Sequence, residues 1–133
     1  VLGIQVGLFE SENKTHKEML YQRTYDLALG YWIAQFHDPI NILQRFENAK
    51  NGKNYPGWSS SFFKQCVSQA ENEQDLEKRL KWLEQAEKIM AEEMPLAPIY
   101  HWTSPSLCHP RMQGLGSTAN GGVLFERSWI SEL

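Results

Sequence analysis

Four histidines, His16, His37, His101 and His109, and two cysteines, Cys66 and Cys108, carry the most obvious chemistry in this chain. A zinc site needs ligands on one face, supplied by i, i+4 spacing on a helix or by a Cys-x-x-Cys turn. No pair among the six has such spacing. His37-Asp38 and Cys108-His109 are adjacent pairs, and neighbours on an extended chain point to opposite sides. Nucleophile motifs are equally absent: there is no Gly-x-Ser-x-Gly, no P-loop and no glycine-rich dinucleotide fingerprint. Ser59-Ser60-Ser61 precedes an apolar run and reads as helix-capping chemistry. The carboxylates gather over 71–93 among lysines, the pattern of a solvated face. These residues predict a protein that is not an enzyme and holds no metal or other cofactor.

Aromatic side chains are the remaining signal. Tyr31, Trp32 and Phe36 end one strand-like run, and Tyr100 and Trp102 lie in another. If those runs are neighbours, their rings line one edge and form a recognition surface. Trp58 and Tyr100 equally suit a core, and Trp82 suits helix packing. Cys66 and Cys108 fall in unrelated contexts and read as free or buried thiols, since two cysteines make no framework.

The elements that must position these residues follow from periodicity. Residues 1–9 alternate Leu2, Ile4, Val6 and Leu8 on one side, with Gly3 and Gly7 opposite, and predict a strand. Residues 15–23 carry a short helical pattern, and 25–34 predict a second strand, parallel to the first in a βαβ unit. Asp38-Pro39 starts a helix with Asp as cap and Pro at its first position, and Ile40, Ile42, Leu43 and Phe46 as its apolar stripe. The turn dipeptides Asn51-Gly52 and Pro56-Gly57 mark a loop, and the serine run then opens a helix through Phe62, Phe63, Cys66, Val67 and Ala70. Residues 75–93 predict a single helix with Leu76, Leu80, Leu83, Ala86 and Met90 inward. Pro95 and Pro98 end it and admit an extended run over 97–103 in the same sheet as the first two strands. A further extended piece is expected at 106–109, a loose glycine loop at 114–122, and a terminal strand over 123–130.

The whole is long enough for one core: 133 residues, 41% of them hydrophobic. Thirteen basic and 16 acidic residues give a net charge of −3 with no basic stripe, which argues against a nucleic-acid partner. No apolar run approaches the length of a membrane span. The opening VLGIQVGLF reads as strand with no polar lead-in, the pattern of a piece cut from a longer protein.

Residues 25–43, YDLALGYWIAQFHDPINIL, resemble the YD…GW…D…DP…fL segment of solute-binding protein family 5, the extracytoplasmic oligopeptide- and dipeptide-binding proteins of ABC importers. Asn54-Tyr55-Pro56-Gly57-Trp58 and Phe63, then Arg79 with Ala86-Glu87, then Pro95-Leu96-Ala97-Pro98-Ile99-Tyr100 resemble later motifs of that family in the same order. The resemblance covers residues 25–110 and implies an α/β fold: a partial mixed sheet flanked by helices, part of the C-terminal lobe of a two-lobed periplasmic binding protein. Residues 1–101 would be the second half of that lobe, and 102–133 would cross the hinge and return to the N-terminal lobe.

The same resemblance implies capture of peptides and delivery to ABC permease subunits by a monomer. That protein would lie in the periplasm or otherwise outside the cytoplasmic membrane, with a lipid anchor expected through its missing N-terminus, and the chain would meet the membrane only through the parent protein or its permease. The ligand would pair its backbone with 30–34 as an added strand. Tyr31, Trp32, Ile33, Ala34 and Gln35 would then meet it, and Trp102 would stand at the hinge. Two residues depart from the family pattern. Gln35 stands where many members carry an Asp that binds the ligand ammonium, which removes a charge-assisted hydrogen bond. Tyr31 replaces a frequent Gly and narrows the cleft floor. The alternatives are a nickel, metal-chelate or haem carrier on the same scaffold, and a stand-alone module that docks a partner through the 75–93 helix.

Overall fold

A computed structural model of the chain describes residues 3–103, 105–118 and 121–132. Its helices in order are α1 (Asn13–Gln22), α2 (Ile40–Leu43), which tightens into a 3-10 turn (Gln44–Phe46), α3 (Ser61–Asn72) and α4 (Leu76–Glu93). Four two-residue strands follow: β1 (Met112–Gln113), β2 (Gly116–Ser117), β3 (Val123–Leu124) and β4 (Trp129–Ile130).

The core is a helical hairpin closed by a third short helix. Ser60 caps α3, its side chain accepting from Phe63 N at 3.5 Å. Asp75 caps α4, accepting from Lys78 N at 3.0 Å. α3 buries Phe63, Cys66, Val67 and Ala70, an i, i+3, i+4, i+7 stripe, against Leu83 and Ala86 of α4. Ile40, Leu43 and Phe46 complete the cluster from the α2 side. Met94 ends α4 in the left-handed conformation (φ 48°), its N–H returning to Met90 O, and Pro95 forbids continuation.

The α4 stripe is rotated from the expected one. Leu83 and Ala86 are buried and Met90 half-buried, but Leu76 and Leu80 are 65% and 45% exposed. Arg79 takes the seam beside the end of α3 in their place: its Nε donates to Ala70 O at 3.1 Å, and its guanidinium reaches Asp38. A polar clamp at that point displaces the leucines to the flank.

The strands depart further from expectation. Residues 3–9, 25–34 and 97–103 form no ladder, so the parallel βαβ unit and the shared mixed sheet are absent among the described residues; Leu2 lies outside them. These runs are apolar enough for strands, but pairing needs a neighbour, and Ile4, Leu8, Leu27, Leu29 and Ile99 are all exposed. The ladders that do form are two antiparallel ribbons, β1 with β4 and β2 with β3. The single strand expected over 123–130 is broken by a turn in which Ser128 N donates to Phe125 O. The 114–122 loop contributes β2. Gly114 makes the close approach achievable: at φ +71°, a Cβ there would lie 2.1 Å from Arg127 O.

Candidate functional site

Residues 31–35 run extended beside the helical core with alternating exposure: Tyr31, Ile33 and Gln35 point outward, Trp32 and Ala34 are half-buried. This is strand periodicity without a strand partner. Trp32 anchors the inner face. Its ring stacks on Tyr55 (centroids 6.0 Å, planes at 15°) and meets Phe46 edge-on at 5.8 Å. Tyr21 of α1 meets Tyr55 edge-on from the other side, and burial followed by Tyr21 pushes the Tyr55 phenol above its usual pKa. Among the described residues, no hydrogen bond engages the backbone N–H or C=O groups of 30–34.

Both flanks of this segment are fixed. Upstream, the carbonyl of Leu29 is bonded by His16 Nε2 of α1 at 3.0 Å. Downstream, Gln35 N donates to Asn41 Oδ1 at 2.9 Å, and Asn41 is only 2% exposed. Asp38 Oδ1 accepts from Ile40 N at 2.9 Å, while its Oδ2 lies 2.8 Å from the Arg79 guanidinium. The helix therefore begins at Ile40, one residue later than the Asp-Pro pattern implies, with Pro39 in the cap position. The Arg79 hydrogen bond is the chief reason the Asp38 carboxyl is held below its ordinary pKa.

The 48–58 loop is shaped by two polar side chains. Buried Asn54 donates through Nδ2 to Asn48 O (3.1 Å) and Trp58 O (2.7 Å). Arg23, in the left-handed cap of α1, donates to the carbonyls of Tyr55 (3.2 Å), Asn54 (3.3 Å) and Ala49. Gly57 at φ +67° leaves room for that guanidinium, since a Cβ would come within 2.5 Å of it. Trp58 lies edge-on to Phe63 at 4.9 Å and donates its indole N–H to Glu93 at 2.7 Å.

Between the extended segment and the loop lies an open cavity of about 280 Å³, lined by Gln35, Asn41, Gln44, Arg45, Glu47, Asn51 and Lys53. Arg45 Nε donates to Asn41 O at 3.2 Å. Burial, reinforced by Glu71, raises the pKa of the Glu47 carboxyl. Trp102 is exposed, as Tyr31 and Ile33 are, and stacks on Tyr100 (6.0 Å, 29°). Both cysteines are free thiols, Cys66 in the core with its pKa raised by burial and Cys108 on the surface.

Three of the motif groups noted in the sequence thus meet around one core. The 25–43 segment brings Trp32 and Asp38, the 54–58 loop brings Tyr55 and Trp58, and α4 brings Arg79 to Asp38. Comparison with known proteins finds relatives over most of the chain. The chain is 34% identical over 129 residues to the oligopeptide-binding protein OppA of Bacillus subtilis, covering 97% of this chain and 24% of that protein. It is 27% identical over 114 residues to the dipeptide-binding protein DppE of the same organism, covering 86% of the chain and 21% of the relative. It is also 27% identical over 127 residues to the periplasmic murein peptide-binding protein MppA of Escherichia coli, covering 96% and 24%. The chain is homologous to a C-terminal part of the peptide-binding proteins of solute-binding protein family 5. It spans about a quarter of the length of these relatives. No protein-family profile matches it.

Within this segment, the residues that sequence reasoning missed are those that hold the motifs in place. Asn41 had a visible signal, a lone amide inside the apolar run Ile40 to Leu43, and a buried amide needs partners. Arg79 was visible as a motif residue, but its partner lies 41 positions away. Arg23 had no signal, because its acceptors are backbone carbonyls of a distant loop.

Proposed function

We propose that the protein carrying this chain captures peptides outside the cytoplasmic membrane and presents them to the permease of an ABC importer. The observation that carries this reading is the free backbone of 30–34, extended, outward on one side and anchored on the other, in a chain homologous to peptide-binding proteins. Such a segment accepts a peptide as an added strand, main chain to main chain, so affinity does not depend on sequence. Tyr31, Ile33 and Gln35 direct side chains toward the ligand; Trp32 and Ala34 contribute backbone, because their side chains turn inward. Trp102 closes on the ligand from the hinge side.

The division at 101–102, with the first part in the C-terminal lobe and 102–133 returning to the N-terminal lobe, belongs to the same proposal. So do the two-lobed architecture, the monomeric state, the lack of catalysis and the lipid anchor. The names of the relatives favour peptides over the metal-chelate or haem alternative and over a stand-alone helix module. Titration calorimetry of the full-length protein with a pool of tri- to pentapeptides tests the reading. Saturable binding supports it; no heat with any peptide, where a nickel chelate or haem binds, overturns it.

A further inference from the structure

The cavity beside Gln35 holds an imbalance of charge. Arg45 and Lys53 face it with a single carboxylate, Glu47, so it is net positive even with Glu47 ionised. The ion pairs within 4.0 Å among the described residues are Arg79 with Asp38 and Lys88 with Glu92. Neither cation of the cavity therefore has a carboxylate partner. A half-buried guanidinium with one nitrogen bonded to a carbonyl and the others unpaired is a ready acceptor site for a planar anion. The floor is built rather than incidental: Asn41, nearly fully buried, spends its oxygen on Gln35 N and offers an Nδ2 that donates to no protein group among the described residues.

We infer that this cavity is a carboxylate-binding subsite, seating an acidic group at the end of the peptide that lies against Gln35. The inference rests on the peptide-binding reading above and names its substrate class. A cationic ammonium at that end meets two like charges against one carboxylate, Glu47, whereas a carboxylate meets a guanidinium, an ammonium and the Asn41 amide against that same single like charge. The carboxylate can come from an acidic first side chain or from the peptide's own C-terminus in a reversed orientation, and both present the same anion.

The test uses the full-length protein and three peptides: N-acetyl-Asp-Ala-Ala amide, N-acetyl-Asn-Ala-Ala amide, and N-acetyl-Asn-Ala-Ala free acid. One of the two anionic peptides should bind about tenfold tighter than the neutral amide, the difference between a charge-assisted and a neutral hydrogen bond. The peptide that gains identifies which carboxylate is seated. Arg45→Gln and Lys53→Gln should each shrink that advantage to about threefold or less. Lys53 makes no side-chain bond to the fold, so its variant stays informative if loss of the Arg45 bond to Asn41 O disturbs folding. Lys88→Gln, on the surface of α4, controls for net charge and should keep the advantage. Equal binding of all three peptides, or an advantage that survives both cavity variants, overturns the subsite while leaving peptide capture standing. No binding by any of the three, all N-acetylated, overturns the subsite; peptide capture itself is overturned only if the unblocked tri- to pentapeptide pool also fails to bind.

Discussion

The Asp38–Arg79 pair shows how much one ion pair organises. Arg79 joins three elements: its own helix α4, the C-terminal carbonyl of Ala70 on α3, and the carboxylate that starts α2. The Asp38 and Arg79 side chains are 27% and 22% exposed, between surface pairs worth 0.2–1 kcal/mol and buried ones costing 3–5 when one partner is lost. Asp38→Asn should therefore cost about 1–2 kcal/mol in urea denaturation. Arg79→Met should cost more, because it strands the carboxylate and also releases the Ala70 carbonyl. The folded pKa of Asp38 is depressed, so its contribution is full above the ordinary carboxylate value of 3.8 and lost as pH falls through the lower folded value. The gap between wild type and Asp38→Asn should hold at neutral pH and narrow below about pH 4. A gap constant down to pH 2 would contradict the pairing. Gln35 makes a second residue-scale case. Gln35→Asp in the full-length protein should raise the preference for a free over an acetylated peptide N-terminus, by about 1 kcal/mol. Arg45 and Lys53 in the adjoining cavity compete for the new carboxylate, which holds the gain to that size. A strong preference for the free amine already present in wild type, unchanged by the substitution, means another carboxylate holds it.

At the scale of elements, what could be read from the sequence divides by the range of the interactions involved. α3 and α4 were legible to within a residue or two because caps at Ser60 and Asp75 and a 3.6-residue apolar period are local facts. The facing of α4 was less legible, since Arg79 enters the seam only by virtue of Asp38 and Ala70 far away in sequence. Strands were least legible: period two was present at 3–9, 25–34 and 97–103, yet a ladder requires a partner that periodicity does not specify. The candidate site shares that division. The stretch 31–35 was singled out by its aromatics, whereas Asn41 and Arg45, which shape the cavity beside it, were not. The rotated α4 stripe has a measurable consequence. Leu83→Ala should cost about 2–5 kcal/mol as a buried truncation, and Leu80→Ala below about 1, although both leucines fit the same heptad pattern. Equal costs in matched denaturation curves would restore the inward Leu80 of the sequence reading.

The whole molecule combines a well-packed helical centre with apolar extended arms. Leu8 is 92% exposed, Leu27 84% and Trp102 73%, more apolar surface than a monomeric protein of this size normally leaves to water. Exposed extended apolar segments with free backbone groups are templates for pairing. In relatives about four times as long, additional chain is available to supply that pairing. Produced by itself, the 133-residue chain should therefore self-associate with rising concentration and bind a hydrophobic dye, while the full-length protein does neither. It should also bind peptides poorly, because a ligand held on one face loses the burial that an enclosing cleft supplies. Sedimentation velocity across a hundredfold range of concentration, with calorimetry against the peptide pool, checks both halves. A strictly monomeric, dye-silent chain would mean the arms need no partner strands. Submicromolar peptide affinity in that chain would mean the site is complete within 31–35 and its neighbouring cavity, and that no second lobe is needed to form it.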